Sequence, residues 1–266
     1  MLSKRTGFAV ILSLTLAVAI AAILAPRVPQ PLAYHNFADR RAWLGIANFA
    51  DVVSNAGFAI VGLWGLGILL GKPSRAQFVD ARERWPYVIV FAGMVLTAIG
   101  SSYYHLAPDN DRLVWDRLPM TIVFMALVAA MIVERISLPV GLVLLPILLL
   151  VGIASVVQWH LSEINGAGDL RFYAALQAYA VLLLLAILLL PPRYTRSSDF
   201  AIVVGFYVLA KITEAADRAI FALDHAVSGH TVKHLAAAAA GLWILRMLQK
   251  RRPVGRAEFA GKLPQG

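Results

Sequence analysis

Long apolar runs, separated by short clusters of Pro, Gly and charged residues, dominate the chain. A helix needs about 20 apolar residues to cross a bilayer. Eight runs approach that length: 7–25, 48–70, 86–105, 116–134, 138–159, 170–190, 199–223 and 229–249. Gly71-Lys72-Pro73, Pro191-Pro192 and Ser228-Gly229 punctuate the gaps. No internal repeat of solenoid length is visible. The pattern predicts an all-α, polytopic transmembrane bundle with a seven-helix core and one extra N-terminal span. It divides into an anchor or signal (1–30), a membrane domain (31–250) and a basic cytoplasmic tail (251–266). The first run has the basic flank (Lys4, Arg5) and small residues near Ala25 of a cleaved signal peptide. Its apolar stretch is long for a signal, which favours a retained anchor.

Composition narrows the class. The 266 residues are 60% hydrophobic and 15% charged, where soluble domains carry roughly 25% charged residues. A mean hydropathy of +0.73 excludes disorder, which needs low hydrophobicity and high charge, and argues against a soluble globule. There is no cysteine. Disulfides, thiol nucleophiles and Cys-ligated metals are thereby excluded, so any metal must be held by His, Asp or Glu. The formal net charge of +9 fits membrane orientation better than nucleic acid. With the N-terminus inside, the loops and tail of the inner side carry Lys4, Arg5, Lys72, Arg75, Arg82, Arg84, Arg135, Arg193, Arg196, Arg246, Lys250, Arg251, Arg252, Arg256 and Lys262. The outer side carries Arg27, Arg40, Arg41, Arg112 and Arg171. That is 15 against five of the 24 basic residues, with Arg117, Lys211, Arg218 and Lys233 left inside spans. The bias places both termini in the cytoplasm.

Ionisable groups within spans are expensive unless paired, hydrated or metal-bound. Ser101 and His105 share a helix face in Gly-Ser-Ser-Tyr-Tyr-His, four residues apart. Asp116 opens the fourth span, and His230 and His234 open the eighth with the same i, i+4 spacing. The predicted topology brings all five to one depth on the outer side. Two imidazoles one turn apart can chelate a metal, and a third can come from a facing helix. Three protein ligands leave a position open, the pattern of zinc used for chemistry. Such a Zn2+ would lower the pKa of water to about 7 and polarise a carbonyl. A neighbouring carboxylate could move the proton, and a hydroxyl could donate to an oxyanion. Each residue also has a plainer reading. The His pair could be helix packing, Asp116 a helix N-cap, and Ser101 a bond to its own backbone.

Lys211, Glu214, Asp217 and Arg218 in the seventh span read as ion pairs, or as support for a ligand His. Asp51 and Asn55 share a face of the second span and could do likewise. His35, His160 and His225 fall in outer loops or at span ends, where solvation is expected. Trp43, Tyr87, Tyr103, Trp159 and Tyr194 fit an interfacial aromatic belt.

Gly-Ser-x-x-x-His at 100–105, Asp-x-Leu-Pro-Met at 116–120 and His-x-x-x-His at 230–234, in that order, resemble the alkaline ceramidases. That family belongs to a superfamily of seven-span membrane hydrolases that includes adiponectin-receptor-like proteins. The segment at 47–55, Ala-Asn-Phe-Ala-Asp-Val-Val-Ser-Asn, is similar to the family's first core helix, and the likeness covers about 34–250. The resemblance implies a seven-helix fold around zinc. His105, His230 and His234 match the ligands, Asp116 the acid/base carboxylate and Ser101 the site serine. It implies hydrolysis of the amide of ceramide, or of a similar N-acyl lipid drawn from the bilayer, to an amine base and a fatty acid. Two departures stand out. Asn48 occupies the place of a glutamate that binds calcium in eukaryotic members, and the segment 35–41 sets one carboxylate beside two arginines, so calcium is not carried over. The extra N-terminal span and the absence of cysteine suggest a bacterial-type member of a cell or inner membrane. Two other functions compete: a zinc-containing receptor or sensor on the same scaffold, and a proton-coupled transporter using Glu214, Asp217 and the His residues. The first does not require Ser101 and Asp116. The second often brings inverted repeats and broken mid-membrane helices, which the sequence does not show.

Overall fold

A computed structural model describes residues 4–71 and 78–254. The described chain is an all-α bundle. Its helices are α1 (Lys4–Leu24), α2 (Phe49–Ser54), α3 (Ala56–Leu70), α4 (Arg84–Leu106), α5 (Asn110–Arg135), α6 (Leu138–Ile164), α7 (Arg171–Ile187), α8 (Asp199–Ala215), α9 (Asp217–Asp224) and α10 (Gly229–Lys250). Among the described residues, five helices are long and apolar enough to cross a membrane: Thr6–Leu24, Phe49–Leu70 (α2 and α3 together), Ala81–Leu106, Asn110–Arg135 and Leu138–Ile164. The other three expected spans differ for physical reasons. α7 is apolar but has 17 residues. The 199–223 run is broken at Ala216 into α8 and α9. α10 is 22 residues long but spends its first two turns on His230, Lys233 and His234, which lowers its hydropathy. Lys72, Arg75, Arg256 and Lys262 of the charge tally lie outside the described residues.

α5 is the axis of the bundle. Its apolar window is 72% buried, against 11% for α1, and Met125 to Val133 form a continuous buried stretch. α4 and α6 pack on α5, α3 packs on α4, and α10 closes the ring against α8 and α3. α1 leans on α7. Its Ile11 and Leu14 pack against the main hydrophobic core.

Two local features bring α5 and α10 close to their partners. Pro119 lies inside α5 and has no N–H to offer the Trp115 carbonyl one turn back. That carbonyl faces Gly100 of α4, where an added Cβ would sit 1.9 Å from the Trp115 oxygen. Only glycine allows this approach, and it sets Ser101 beside Asp116. At the other junction, a Cβ on Gly229 would sit 2.2 Å from the Thr213 carbonyl. Glycine there lets α10 begin hard against the end of α8.

Candidate metal centre

His105 comes from the last turn of α4, and His230 and His234 from the first two turns of α10. Ser228 caps α10, its hydroxyl accepting from the Thr231 N–H at 3.1 Å, which holds that turn in register. All three imidazoles are at most 3% exposed. Their ring centroids form a near-equilateral triangle with sides of 4.8, 4.9 and 4.8 Å. One potential ligand atom from each ring lies within 4.8 Å of the others. This group could hold a metal ion.

One of the three pairs already has the spacing a shared ion requires. His105 Nε2 and His230 Nε2 are 3.3 Å apart. Two imidazole nitrogens on a tetrahedral ion at 2.0–2.1 Å stand about 3.3 Å from each other. His234 is oriented from behind. Its Nδ1 lies 2.8 Å from Ser54 Oγ, and that hydroxyl has its single proton committed to the Asp51 carbonyl at 3.1 Å. The hydroxyl therefore accepts from Nδ1–H, which leaves Nε2 of His234 deprotonated and free to ligate. Asn48 Nδ2 donates to the His105 carbonyl at 2.8 Å, and the His230 N–H donates to Asp217 Oδ1 at 2.8 Å. Both contacts fix the ligand backbones.

A loop roofs the cluster. The Phe37 ring lies 4.4 Å from that of His230 and 4.7 Å from that of His105. The loop is tied down by Ala38 N–H to Asp217 Oδ2 at 2.8 Å and by the Asp39–Arg41 pair at 2.7 Å. The Arg41 guanidinium holds the Asp39 carboxyl below the usual carboxylate range. Beneath the cluster, Ser101, Asp116, Lys233 and His234 line one cavity of about 980 Å³, counting its open mouth. Its other walls are apolar, among them Phe124, Val203, Val204 and Ile244.

All five residues singled out in the sequence therefore meet at one end of the bundle. Asp116 is not the N-cap of its helix. α5 starts at Asn110, capped by Asp109 Oδ1 accepting from the Arg112 N–H at 2.6 Å. Asp116 sits two turns in, 5% exposed, with Ser101 beside it. Its neighbour Arg117 is occupied elsewhere. The guanidinium stacks on Trp159 at 4.1 Å and Tyr173 at 4.6 Å and donates to Gln30 Oε1 at 2.5 Å.

Glu214 forms the expected ion pair with Lys211 and a second, at 2.6 Å, with Lys233. Other supporting residues bring corrections. Asp217 supports a ligand through the His230 backbone, not its ring. His35 is not solvated but hydrogen-bonded to Tyr104 Oη and Asn110 Oδ1, each at 2.9 Å. Tyr87, Trp159 and Tyr194 are at most 1% exposed and form no interfacial belt. Their rings pack against buried cations instead. The sequence reading missed Ser54. Its only signal was a place three residues beyond Asp51, on the face turned to α10.

No protein-family model matches this chain, and neither does any curated protein. The resemblance to alkaline ceramidases therefore rests on the sequence motifs alone.

Proposed function

We propose that the protein is a zinc-dependent, integral-membrane amidohydrolase acting on ceramide or a similar N-acyl lipid. One observation carries the reading: His234, one of the three converging imidazoles, lines a cavity together with Ser101, Asp116 and Lys233, and most of its remaining wall is apolar. An all-histidine donor set suits zinc. When bound, zinc supplies Lewis acidity towards a carbonyl and towards water.

The protein's own residues do the rest. Asp116 takes the proton of the attacking water and returns it to the amide nitrogen as the C–N bond breaks. Ser101 donates its hydroxyl proton as a hydrogen bond to the carbonyl oxygen as charge develops there. Phe124, Val203, Val204 and Ile244 hold the acyl chain, and the water-poor wall strengthens each polar contact. Positive-inside counting supports cytoplasmic termini and a substrate drawn from the extracytoplasmic leaflet. A receptor on the same scaffold would need the histidines but has no use for Ser101 and Asp116 at the cavity wall.

The test is mass spectrometry of purified protein incubated with a panel of N-acyl lipids, including ceramides. Fatty acid release is expected, with Asp116→Asn losing about 10²–10⁴-fold in rate while keeping its metal. Full activity in Asp116→Asn, or no release from any amide, would remove the proposal.

A further inference from the structure

Two buried oxygens behind the histidines have no donor among the described residues. Asp51 and Asn55 stand one turn apart, and both are 0% exposed. Asn55 Nδ2 donates to the Asp51 carbonyl at 2.9 Å. This fixes the amide, because the flipped form would set oxygen against oxygen. Asn55 Oδ1 is thus an acceptor, and no described residue donates to it. Asp51 Oδ1 accepts from Thr231 Oγ1 at 2.8 Å and from Ser228 Oγ at 3.3 Å, while Oδ2 has no donor among the described residues. The strongest charges acting on Asp51 come from two further carboxylates, Asp217 and Asp39. Asp39 is matched by Arg41 and Asp217 by two backbone N–H groups. Asp51 has no such counter-ion among the described residues, and a buried carboxylate without one is costly.

We infer that Asp51 and Asn55, with the hydroxyls of Ser228 and Thr231, form a site for a monovalent metal cation of sodium type between α2 and the start of α10. The donors are all oxygen, which selects hard cations and disfavours zinc. They carry one formal negative charge, and the positive end of the α10 dipole offsets part of it, so one positive charge balances the site and two would not. Calcium takes six to eight oxygens, more than are gathered here. The site is separate from the histidine cluster but shares a helix turn with Ser54, the residue that orients His234. A cation there ties α2 to α10 on the side that supports the ligand.

The experiment is thermal unfolding of the full-length protein in detergent at fixed pH and ionic strength, with sodium chloride exchanged for choline chloride. It is run with zinc saturating and again with zinc removed by chelator. A saturable rise of roughly 2–4 °C with sodium is expected, together with broadening of the ²³Na resonance. Both should vanish in Asp51→Asn and in Asn55→Ala, and survive in Asp111→Asn, an exposed carboxylate. Equal stability in sodium and choline without ²³Na broadening would overturn the site, a proton alone then sufficing for Asp51. A sodium effect that persists in both site variants would overturn it too. The readout needs neither zinc nor turnover, so its failure is distinguishable from failure of the hydrolase reading.

Discussion

The two ends of α5 and α10 hold polar groups of equal cost and treat them in opposite ways. At one end stand Asp116, His230, Lys233 and His234. At the other stand Glu134 and Arg251, about 27 Å further along α5 at 1.5 Å per residue. The far end is closed. Arg251 pairs with Glu134, Tyr87 Oη donates to Glu134 Oε1 at 2.7 Å, and Arg193 pairs with Glu83 at 2.9 Å. The Arg251 guanidinium lies 4.0 Å from the Tyr194 ring and 4.8 Å from that of Phe78. The pattern of apolar runs puts Arg251 in the tail, yet it is 3% exposed. Thr195 N–H also donates to the Arg252 carbonyl at 2.8 Å, so the tail begins inside the bundle. Each carboxylate there has its cation, although Nε and Nη2 of Arg251 have no hydrogen-bond partner among the described residues. At the histidine end three imidazoles face one another across less than 5 Å, with a carboxylate, a hydroxyl and a cavity beside them. Pairing locks a structure, whereas unspent donor capacity recruits something else.

Mutations can break that contrast. The largest effect is expected from His230→Ala with His234→Ala: bound metal should fall from about one per chain to none by elemental analysis, with the fold retained. Persistent stoichiometric metal would place the site elsewhere. Next is Glu134→Gln. Leaving Arg251 buried without its partner should cost about 3–5 kcal/mol, read as a lower Tm, with metal content per folded chain unchanged. Adding Arg251→Met should recover much of that loss. If Glu134→Gln instead depleted metal while sparing Tm, the two ends would have been assigned the wrong roles. Ser54→Ala is expected to weaken metal affinity by about 10–100-fold in a competition titration, with little change in stability. The smallest effect concerns the roof loop. A carboxyl held below its ordinary value contributes stability above that value and loses it as pH falls through the lowered one. Asp39→Asn should therefore lower Tm slightly at neutral pH, and the two curves should converge in strong acid. Curves that stay parallel would show that the Asp39–Arg41 pair contributes nothing.

How far the site could be read from the chain differs residue by residue. His105, Ser101, Asp116, His230 and His234 were legible because an ionisable or hydroxyl group in an apolar run stands out, and i, i+4 spacing assigns a face without knowledge of the fold. Ser54 was not legible, since a serine in a helix has an ordinary local use and its tie to His234 spans 180 positions. Tyr87, Trp159 and Tyr194 were misassigned because an aromatic near a span end looks the same whether it faces headgroups or a buried arginine. The break at Ala216 had no Gly or Pro to announce it.

The order of apolar runs by itself determined an all-α bundle in which several helices are long and apolar enough to cross a membrane, because covering about 30 Å of hydrocarbon leaves a chain few alternatives. The same pattern placed the five polar residues towards one end of the bundle. What only the tertiary structure decided was distance: that Gly100 and the carbonyl freed by Pro119 bring α4 onto α5, that Gly229 seats α10 against α8, and that three rings then close to within 5 Å. Periodicity fixes direction around one helix, but separation between helices depends on which side chains are absent where the backbones cross.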